Sequence, residues 1–217
     1  MNYEIAPGER AVFIGPPRHG KSNLQGWLLE TVSSAVVIDS KHHPAEWASW
    51  GPRHGYVVTS DPELISRHPK VVFQVDHRSL VDRQGWNKQG TYGYAWTDAL
   101  SRIIARGNTV TLFDEAVQTL PAGSSHPQAQ RIQTQGAGFG NGGWAGTQIG
   151  NRIDTLIPRL AEHAFCFRTL TGQDLDLIQR ARSIDCEVLK TLERYHFAYH
   201  RMGDTAWQVC APVDRVM

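Results

Sequence analysis

Short apolar runs alternate along the chain with stretches in which apolar residues recur every three or four positions. Such runs are typical of strands buried on both faces of a parallel sheet, and the recurring spacing is typical of helices with one buried face. The runs that predict strands are residues 11–14, 35–39, 56–59, 71–75, 110–113, 144–148 and 164–169. Helical faces are predicted by Leu24, Trp27, Leu28 and Val32, by Trp96, Ala99, Leu100, Ile103 and Ile104, and by Leu175 and Ile178. This alternation predicts an α/β domain in which helices flank a mainly parallel sheet.

Turn and capping residues predict the shorter elements. Because proline is favoured at the first position of a helix, we expect one to begin near His126–Pro127 and to end in the glycine-rich residues 136–143. Asp154 predicts the cap of a short helical turn that Pro158 interrupts. The remaining elements are a C-terminal β-hairpin, formed by residues 195–200 and 206–211 around Gly203–Asp204, and a short strand at residues 3–5 ahead of Pro7–Gly8.

A glycine-rich turn follows the first strand and carries the clearest chemistry in the chain. Gly15 to Ser22 reads G-P-P-R-H-G-K-S and fits the spacing G-x-x-x-x-G-K-[ST] at every fixed position. Glycines at these positions let consecutive backbone N–H groups turn toward a phosphate at the start of the next helix. Lys21 would reach the β- and γ-phosphates of a nucleotide, and the Ser22 hydroxyl would hold Mg²⁺. The residues predicted to bind the nucleotide are Gly15, Pro16, Pro17, Arg18, His19, Gly20, Lys21, Ser22 and Asn23.

Polar residues end two later strands. Asp114 and Glu115 follow the run at residues 110–113, and Gln148 ends the run that begins at Trp144. Beside a phosphate loop, Asp114 can hold the Mg²⁺ shell and Glu115 can polarise the water that attacks the γ-phosphate. Gln148 can sense the γ-phosphate or orient that water, or it can simply satisfy a loop backbone. Because the second acid is the base that hydrolysis needs, the pattern favours hydrolysis over nucleotide binding alone.

Charge, cysteines and hydropathy narrow the class of protein. Lys and Arg number 22 against 21 Asp and Glu, a net charge of +1, which argues against a protein that coats nucleic acid with its whole surface. Cys166, Cys186 and Cys210 are odd in number and lack C-x-x-C spacing, so neither a disulfide framework nor a zinc site is indicated, and a reducing cytoplasm is the simplest setting. Without a membrane-length apolar run or a signal peptide, we expect a soluble protein with one domain over residues 1–217.

Residues 76–93 form a long basic stretch. Arg78, Arg83 and Lys88 are interleaved there with Trp86 and Tyr92 among glycines. Cations interleaved with aromatics suit contact with a nucleic-acid backbone. Because charged loops are common on ordinary protein surfaces, we favour the interpretation as a solvated loop.

Four segments in this order resemble the ATPase core of the FtsK/HerA superfamily of DNA-pumping motors. They are G-P-P-R-H-G-K-S-N, T-L-F-D-E-A, W-A-G-T-Q and a tail that runs from I-D-T-L-I-P-R-L to G-Q-D-L-D-L-I. The resemblance spans about residues 3–182 and leaves little of the chain beyond that core. The chain is therefore most similar to the small genome-packaging ATPases of tailless, membrane-containing icosahedral phages and archaeal viruses. The resemblance implies a RecA/FtsK-like P-loop NTPase fold.

The same resemblance implies roles and partners. Lys21 and Ser22 would bind ATP·Mg²⁺, Asp114 would support the metal, Glu115 would be the base and Gln148 the sensor. Family members work as homo-oligomeric rings, pentamers or hexamers, with ATP at subunit interfaces and double-stranded DNA in the central channel. A packaging motor of this kind would pump DNA into a preformed capsid. It would act in the host cytoplasm, docked on a capsid or membrane vertex protein.

The chain departs from the family pattern at one point. Family members often carry an arginine shortly before the T-Q strand, where a neighbouring subunit can use it in trans, but residues 135–143 read Q-G-A-G-F-G-N-G-G. Arg131 lies upstream of that segment, whereas Arg152 and Arg159 lie downstream. We rank Arg152 first and Arg131 second as the trans arginine. Either could instead be a surface or helix-capping residue.

Other functions stay open at this point. A nucleotide or nucleoside kinase could use Arg180 and Arg182 as lid residues, but a kinase deprotonates no water, so Glu115 and Gln148 argue against it. A morphogenesis ATPase of the zonular-occludens-toxin type has a related core, although such proteins usually carry a membrane span. A non-enzymatic scaffold would leave the loop, the acidic pair and Gln148 without a function together.

Overall fold

A single mixed β-sheet forms the centre of the computed structural model, which describes residues 3–75, 94–123, 125–148, 150–169 and 171–217. The described strands are β1 (Ala11–Ile14), β2 (Ala35–Asp39), β3 (Val57–Thr59), β4 (Lys70–Gln74), β5 (Val110–Phe113), β6 (Gly142–Thr147), β7 (His163–Phe167), β8 (Phe197–Arg201) and β9 (Gln208–Cys210). Their order across the sheet is β3-β4-β2-β5-β6-β1-β7-β8-β9. Strands β1 to β7 pair parallel with one another, whereas β8 is antiparallel both to β7 and to β9. The predicted α/β class, mainly parallel sheet and C-terminal hairpin are confirmed.

Helices cover both faces of the sheet. Each central strand sends apolar side chains alternately to opposite faces, so both faces have to be buried. In β1, Val12 and Ile14 point into one apolar cluster, and Ala11 and Phe13 into the other. The described helices are α1 (Lys21–Glu30), α2 (Trp47–Arg53), α3 (Glu63–Arg67), α4 (Tyr94–Arg106), α5 (Ala116–Thr119), α6 (Pro127–Gln135), α7 (Leu156–Leu160), α8 (Gly172–Arg182) and α9 (Val188–Thr191). Helices α1 and α2 pack on one face, and α3, α4 and α6 to α9 pack on the other. No helix within these described ranges is long and apolar enough to span a membrane.

One predicted strand is absent, and one predicted helix end is wrong. Residues 3–5 form no strand, although the turn at Pro7–Gly8 is present. Helix α7 continues through Pro158 instead of stopping there. Proline lacks the N–H and its ring crowds the residue four positions earlier, but at the third position of a helix that N–H has no intrahelical acceptor and that residue lies outside the helix. Asp154 lies one residue before the N-cap position, which Thr155 occupies, and its Oδ1 accepts a hydrogen bond from the Leu156 N–H at 2.9 Å. The basic stretch 76–93 lies outside the described residues.

An ion pair joins the beginnings of two central strands and provides a test of the fold. The Arg10 N–H and Nε donate to Glu162 Oε2 at 2.7 and 3.1 Å, and Nη2 pairs with Oε1. Burial acts to raise the pKa of Glu162, but the hydrogen bonds from Arg10 outweigh it and lower that pKa below its usual value. The pair therefore stabilises the fold fully above the ordinary glutamate pKa, and this contribution is lost as pH falls through the lowered one.

We expect Glu162→Gln to lower the free energy of unfolding at neutral pH by about 1–2 kcal/mol, the lower part of the range for charge-assisted hydrogen bonds because water reaches the pair. Urea unfolding should show a smaller loss at about pH 3, where the wild-type carboxylate is itself becoming protonated. Glu193→Gln, at a side chain that is 84% exposed, is the matched control and should change little. An equal loss at both pH values would contradict the assignment.

Candidate nucleotide-binding site

The predicted site residues converge because three strands that carry them are adjacent in the sheet. Strand β6 lies between β5 and β1, with Phe113 beside Ala145 and Ile14 beside Thr147. These strands are parallel, so the segments that follow them emerge at the same edge. The phosphate loop, the acidic pair and Gln148 therefore share one end of the sheet, as the sequence predicted.

Two glycines give the loop its shape. Gly15 has φ +156°, and a Cβ added to it would lie 2.5 Å from Phe167 Cβ. Gly20 has φ +99° and precedes helix α1, whose N-terminus has no side-chain cap. The first-turn N–H groups of α1 are therefore left for an external acceptor, and the helix dipole favours an anion there. The loop can bind a phosphate group.

Lys21 folds back over its own loop. Its Nζ donates to the carbonyls of Gly15 at 2.7 Å and Pro16 at 2.9 Å. Burial lowers the pKa of Lys21 to about 8, since removal from water disfavours the ammonium and the nearby acids compensate only in part. Because the two acceptors are neutral carbonyls, a phosphate would be a stronger partner for this ammonium.

The remaining loop residues differ in exposure. Pro17 and Arg18 are exposed, and His19 Nδ1 lies 2.9 Å from the Pro17 carbonyl. Ser22 is half-buried at the second position of α1, where its hydroxyl is near the phosphate-binding N-terminus. These positions fit a loop that surrounds a phosphate and a Ser22 hydroxyl that binds a metal. Of their side chains, only the polar ones can hydrogen-bond to a ligand.

Asn23 contacts the C-terminal segment. Its Nδ2 donates to the Asp214 carbonyl at 3.0 Å, and its Oδ1 accepts from the N–H groups of Val216 at 2.8 Å and Met217 at 3.2 Å. The side-chain amide therefore fastens residues 214–217 to helix α1, a long-range contact that no local sequence pattern predicts.

The acidic pair is buried beside the loop. Asp114 is 2% exposed and Glu115 is 7% exposed. Asp114 Oδ2 and Glu115 Oε2 are buried without an aligned hydrogen-bond donor. Burial raises the pKa of Glu115, which makes its carboxylate a stronger base. The backbone N–H of Gln148 donates to Glu115 Oε1 at 3.4 Å, which brings the predicted sensor residue against the predicted base.

These oxygens suit a magnesium ion. Mg²⁺ prefers oxygen ligands, and in nucleotide sites it takes only one or two from the protein and the rest from phosphates and water. Asp114 Oδ2 and the Ser22 hydroxyl are two oxygen ligands that the protein could supply. The residues present therefore fit the predicted metal.

Lys41 joins the site from the other side, and no sequence motif predicts a role for it. Strand β2 pairs with β5 on the side away from β6, so Lys41 follows β2 at the same edge as Asp114. Its Nζ lies 3.0 Å from Asp114 Oδ2 and 3.8 Å from Glu115 Oε2. Burial opposes its charge, but Asp114 raises the pKa of Lys41 above its usual value. The available signal was its position just past a buried strand of the predicted parallel sheet.

A cavity of about 480 Å³ opens next to the phosphate loop. Gly20 and Leu24 form its side toward α1, and Phe167, Tyr195 and Phe197 supply aromatic walls. The C-terminal segment that Asn23 fastens completes it, through Pro212, Val213, Arg215 and Met217. Sequence reasoning missed this cavity because its walls come from distant parts of the chain.

The two ranked arginines lie in different places. Arg152 is exposed in a 3₁₀ turn, Gly150–Arg152, that follows β6. A Cβ added to Gly150 would lie 3.6 Å from Ile14 Cγ2, so the turn lies near the end of β1. Arg131 is exposed on α6, with its guanidinium 5.5 Å from the centre of the Phe139 ring. Phe139 ends the turn that leads into the start of β6. Arg152 therefore shares the edge of the phosphate loop, and Arg131 faces the opposite edge.

The fold is that of P-loop ATPases. The chain is similar to the genome-packaging NTPase B204 of Sulfolobus turreted icosahedral virus 2 in complex with sulfate, at 20% identity and a TM-score of 0.75 over 97% of this chain and 100% of that one. The complex of that protein with ATP-gammaS is similar at 19% identity and a TM-score of 0.73, over 96% of this chain and 100% of that one. VirB4 of Thermoanaerobacter pseudethanolicus gives 11% identity and a TM-score of 0.68 over 94% of this chain and 89% of that one.

These likenesses are structural. No family model matches the chain, and no characterised protein matches it by sequence. At identities of 20% and below the comparisons show the fold. The P-loop ATPase fold that the resemblance to the FtsK/HerA superfamily implied is confirmed.

Proposed function

We propose that this protein is an ATP-hydrolysing motor that moves double-stranded DNA, and that its task is viral genome packaging. The observation that carries the proposal is the meeting of the phosphate loop, the buried Asp114–Glu115 pair and Gln148 at one edge of the sheet. A near full-length likeness in fold to a viral genome-packaging NTPase supports the choice of DNA as the substrate.

The residues divide the work of hydrolysis. Lys21 would leave the carbonyls of Gly15 and Pro16 and bind the β- and γ-phosphates. Ser22 and Asp114 would hold Mg²⁺, which neutralises charge that develops on the phosphates. Glu115, buried and raised in pKa, would accept a proton from the attacking water.

The base of the nucleotide would enter the cavity beside the loop. The cavity begins at Gly20, next to the phosphate site, and its walls are aromatic and apolar, as a purine requires. Tyr195 is 44% exposed in the structure, and a stacked base would cover it.

We therefore expect Tyr195→Ala to weaken ATP and ADP binding by about 5- to 150-fold, because stacking of a base on an aromatic ring is worth about 1–3 kcal/mol. Binding of inorganic tripolyphosphate, which has no base, should not change. Titration calorimetry with both ligands measures the difference, and Tyr195→Phe is the control that keeps the ring. A similar loss for tripolyphosphate would show that Tyr195 supports the loop and not the base.

The motor function is tested by hydrolysis of ATP at low salt with and without duplex DNA. We expect DNA to stimulate hydrolysis, because a translocase couples the two. A rate indifferent to DNA would contradict the motor proposal while leaving the nucleotide site intact. Transfer of phosphate to a nucleoside or nucleotide would instead favour the kinase alternative. The position of Arg182 argues against a kinase, because this proposed lid residue is 8% exposed and donates to the Ala161 carbonyl at 2.7 Å.

The proposed assembly is a homo-oligomeric ring, a pentamer or hexamer, with DNA in its channel. In an infected cell it would act in the host cytoplasm at a virion vertex, docked on a capsid or membrane protein. A morphogenesis ATPase of the zonular-occludens-toxin type is the alternative, and it predicts ATP hydrolysis without stimulation by DNA.

A further inference from the structure

Lys41 is held in place by a buried turn. Asp39, the last residue of β2, is 1% exposed, and its Oδ1 accepts the N–H groups of Lys41 at 3.1 Å and His42 at 3.0 Å. Its other oxygen accepts from Gln74 Nε2 at 3.2 Å. The backbone at Lys41 is therefore fixed by a side chain that is itself anchored to the neighbouring strand.

This turn brings a cation to an acidic pocket. The Lys41 ammonium lies 3.0 Å from Asp114 Oδ2, 3.8 Å from Glu115 Oε2 and 3.9 Å from Glu46 Oε2. Two adjacent buried carboxylates repel each other and need a nearby cation. Among the described residues, Lys41 is the one whose ammonium forms ion pairs with both, whereas Lys21 donates to the carbonyls of its own loop.

The ammonium also competes with a metal. Asp114 Oδ2 is the oxygen that faces Lys41, and the ammonium is its ion-pair partner at 3.0 Å. A divalent cation on that oxygen would meet a positive charge at close range, because a Mg²⁺ ligand lies only about 2.1 Å from the ion. The triphosphate of a nucleotide offers Lys41 another anionic partner. Its four-carbon side chain, 22% exposed, has the rotations to reach one.

We propose that Lys41 is the counter-cation of the nucleotide-free site: its ammonium holds Asp114 and Glu115 in position and excludes free Mg²⁺. The metal then enters only together with nucleotide phosphates, which draw Lys41 away from Asp114. Lys41 is on this account a positioning residue. The inference rests on the proposed nucleotide site and adds a rule for the order in which its ligands bind.

The test is Mn²⁺ binding to the nucleotide-free protein, followed by electron paramagnetic resonance. Wild type should bind Mn²⁺ only weakly, and Lys41→Met, which keeps the length of the side chain without its charge, should bind one Mn²⁺ more tightly by about tenfold or more. Adding Asp114→Asn to Lys41→Met should remove that site. Lys190→Met, at an exposed lysine paired with Glu187 on α9, is the matched control and should behave as wild type.

Two results would overturn the proposal. One is a wild-type protein that binds Mn²⁺ as tightly as Lys41→Met, and the other is a folded Lys41→Met protein that gains no site. Lys41→Arg guards against an effect of misfolding, since it keeps the charge and should still exclude Mn²⁺. The proposed function fails separately, by loss of Mg²⁺-ATP binding in the wild type, and that measurement does not depend on the Mn²⁺ result.

Discussion

Glu115→Gln is expected to lower the rate of ATP hydrolysis by about 10²- to 10⁴-fold, the contribution typical of a positioned general base. Glutamine keeps the size of the side chain and an oxygen that can accept the Gln148 N–H, but it cannot take a proton from water. Affinity for ATP should be kept, because on this proposal the phosphates would be bound by Lys21 and the start of α1. The loss should therefore appear in kcat and not in the Kd of a fluorescent ATP analogue.

The comparison needs a glutamate outside the site. Glu193→Gln removes the same charge at an 84% exposed position and should leave both hydrolysis and ATP binding unchanged. If Glu115→Gln hydrolyses ATP at the wild-type rate, Glu115 is not the base. If it loses ATP binding as well, its main role is to balance the charge of Lys41 and Lys21.

The phosphate loop could be predicted from sequence because its determinants are local. Gly15, Gly20, Lys21 and Ser22 lie within eight consecutive residues, and the backbone angles and charge that a phosphate needs are fixed by residue type. Asp114 and Glu115 could be predicted for a related reason. A buried parallel strand is a continuous apolar run, so polar residues at its end are visible, and strand ends of one kind meet at one edge.

The contacts between distant segments could not be predicted in this way. The place of Lys41 beside Asp114 depends on β2 pairing with β5, and no residue of β2 specifies that partner. The cavity depends on Asn23 fastening residues 214–217, a contact across more than 190 positions. The prediction at Pro158 was wrong because the effect of proline depends on its position in the helix. Pro158 is the third residue of α7, where proline is tolerated, and the sequence does not show where the helix begins.

The second large effect concerns a residue that would act on a neighbouring subunit. Arg152→Ala is expected to lower ATP turnover by about 10³- to 10⁵-fold, the range for arginines that stabilise the charge of phosphoryl transfer in trans. Arg152 is exposed at the edge that carries the phosphate loop, so a neighbour in a ring can meet it, whereas Arg131 lies against Phe139 toward the other edge. Arg131→Ala is therefore the matched control and should retain most of the activity.

Action in trans predicts a result that loss of activity alone does not. Lys21→Met cannot bind the phosphates but still presents Arg152, and Arg152→Ala has an intact loop but no arginine to offer. Mixed into one ring, these two inactive proteins place some intact loops next to some intact arginines, so ATP hydrolysis should partly recover. Recovery should rise and then fall as the mixing ratio changes. A mixture that stays inactive at every ratio, under conditions where the subunits exchange, would show that Arg152 does not act across the interface.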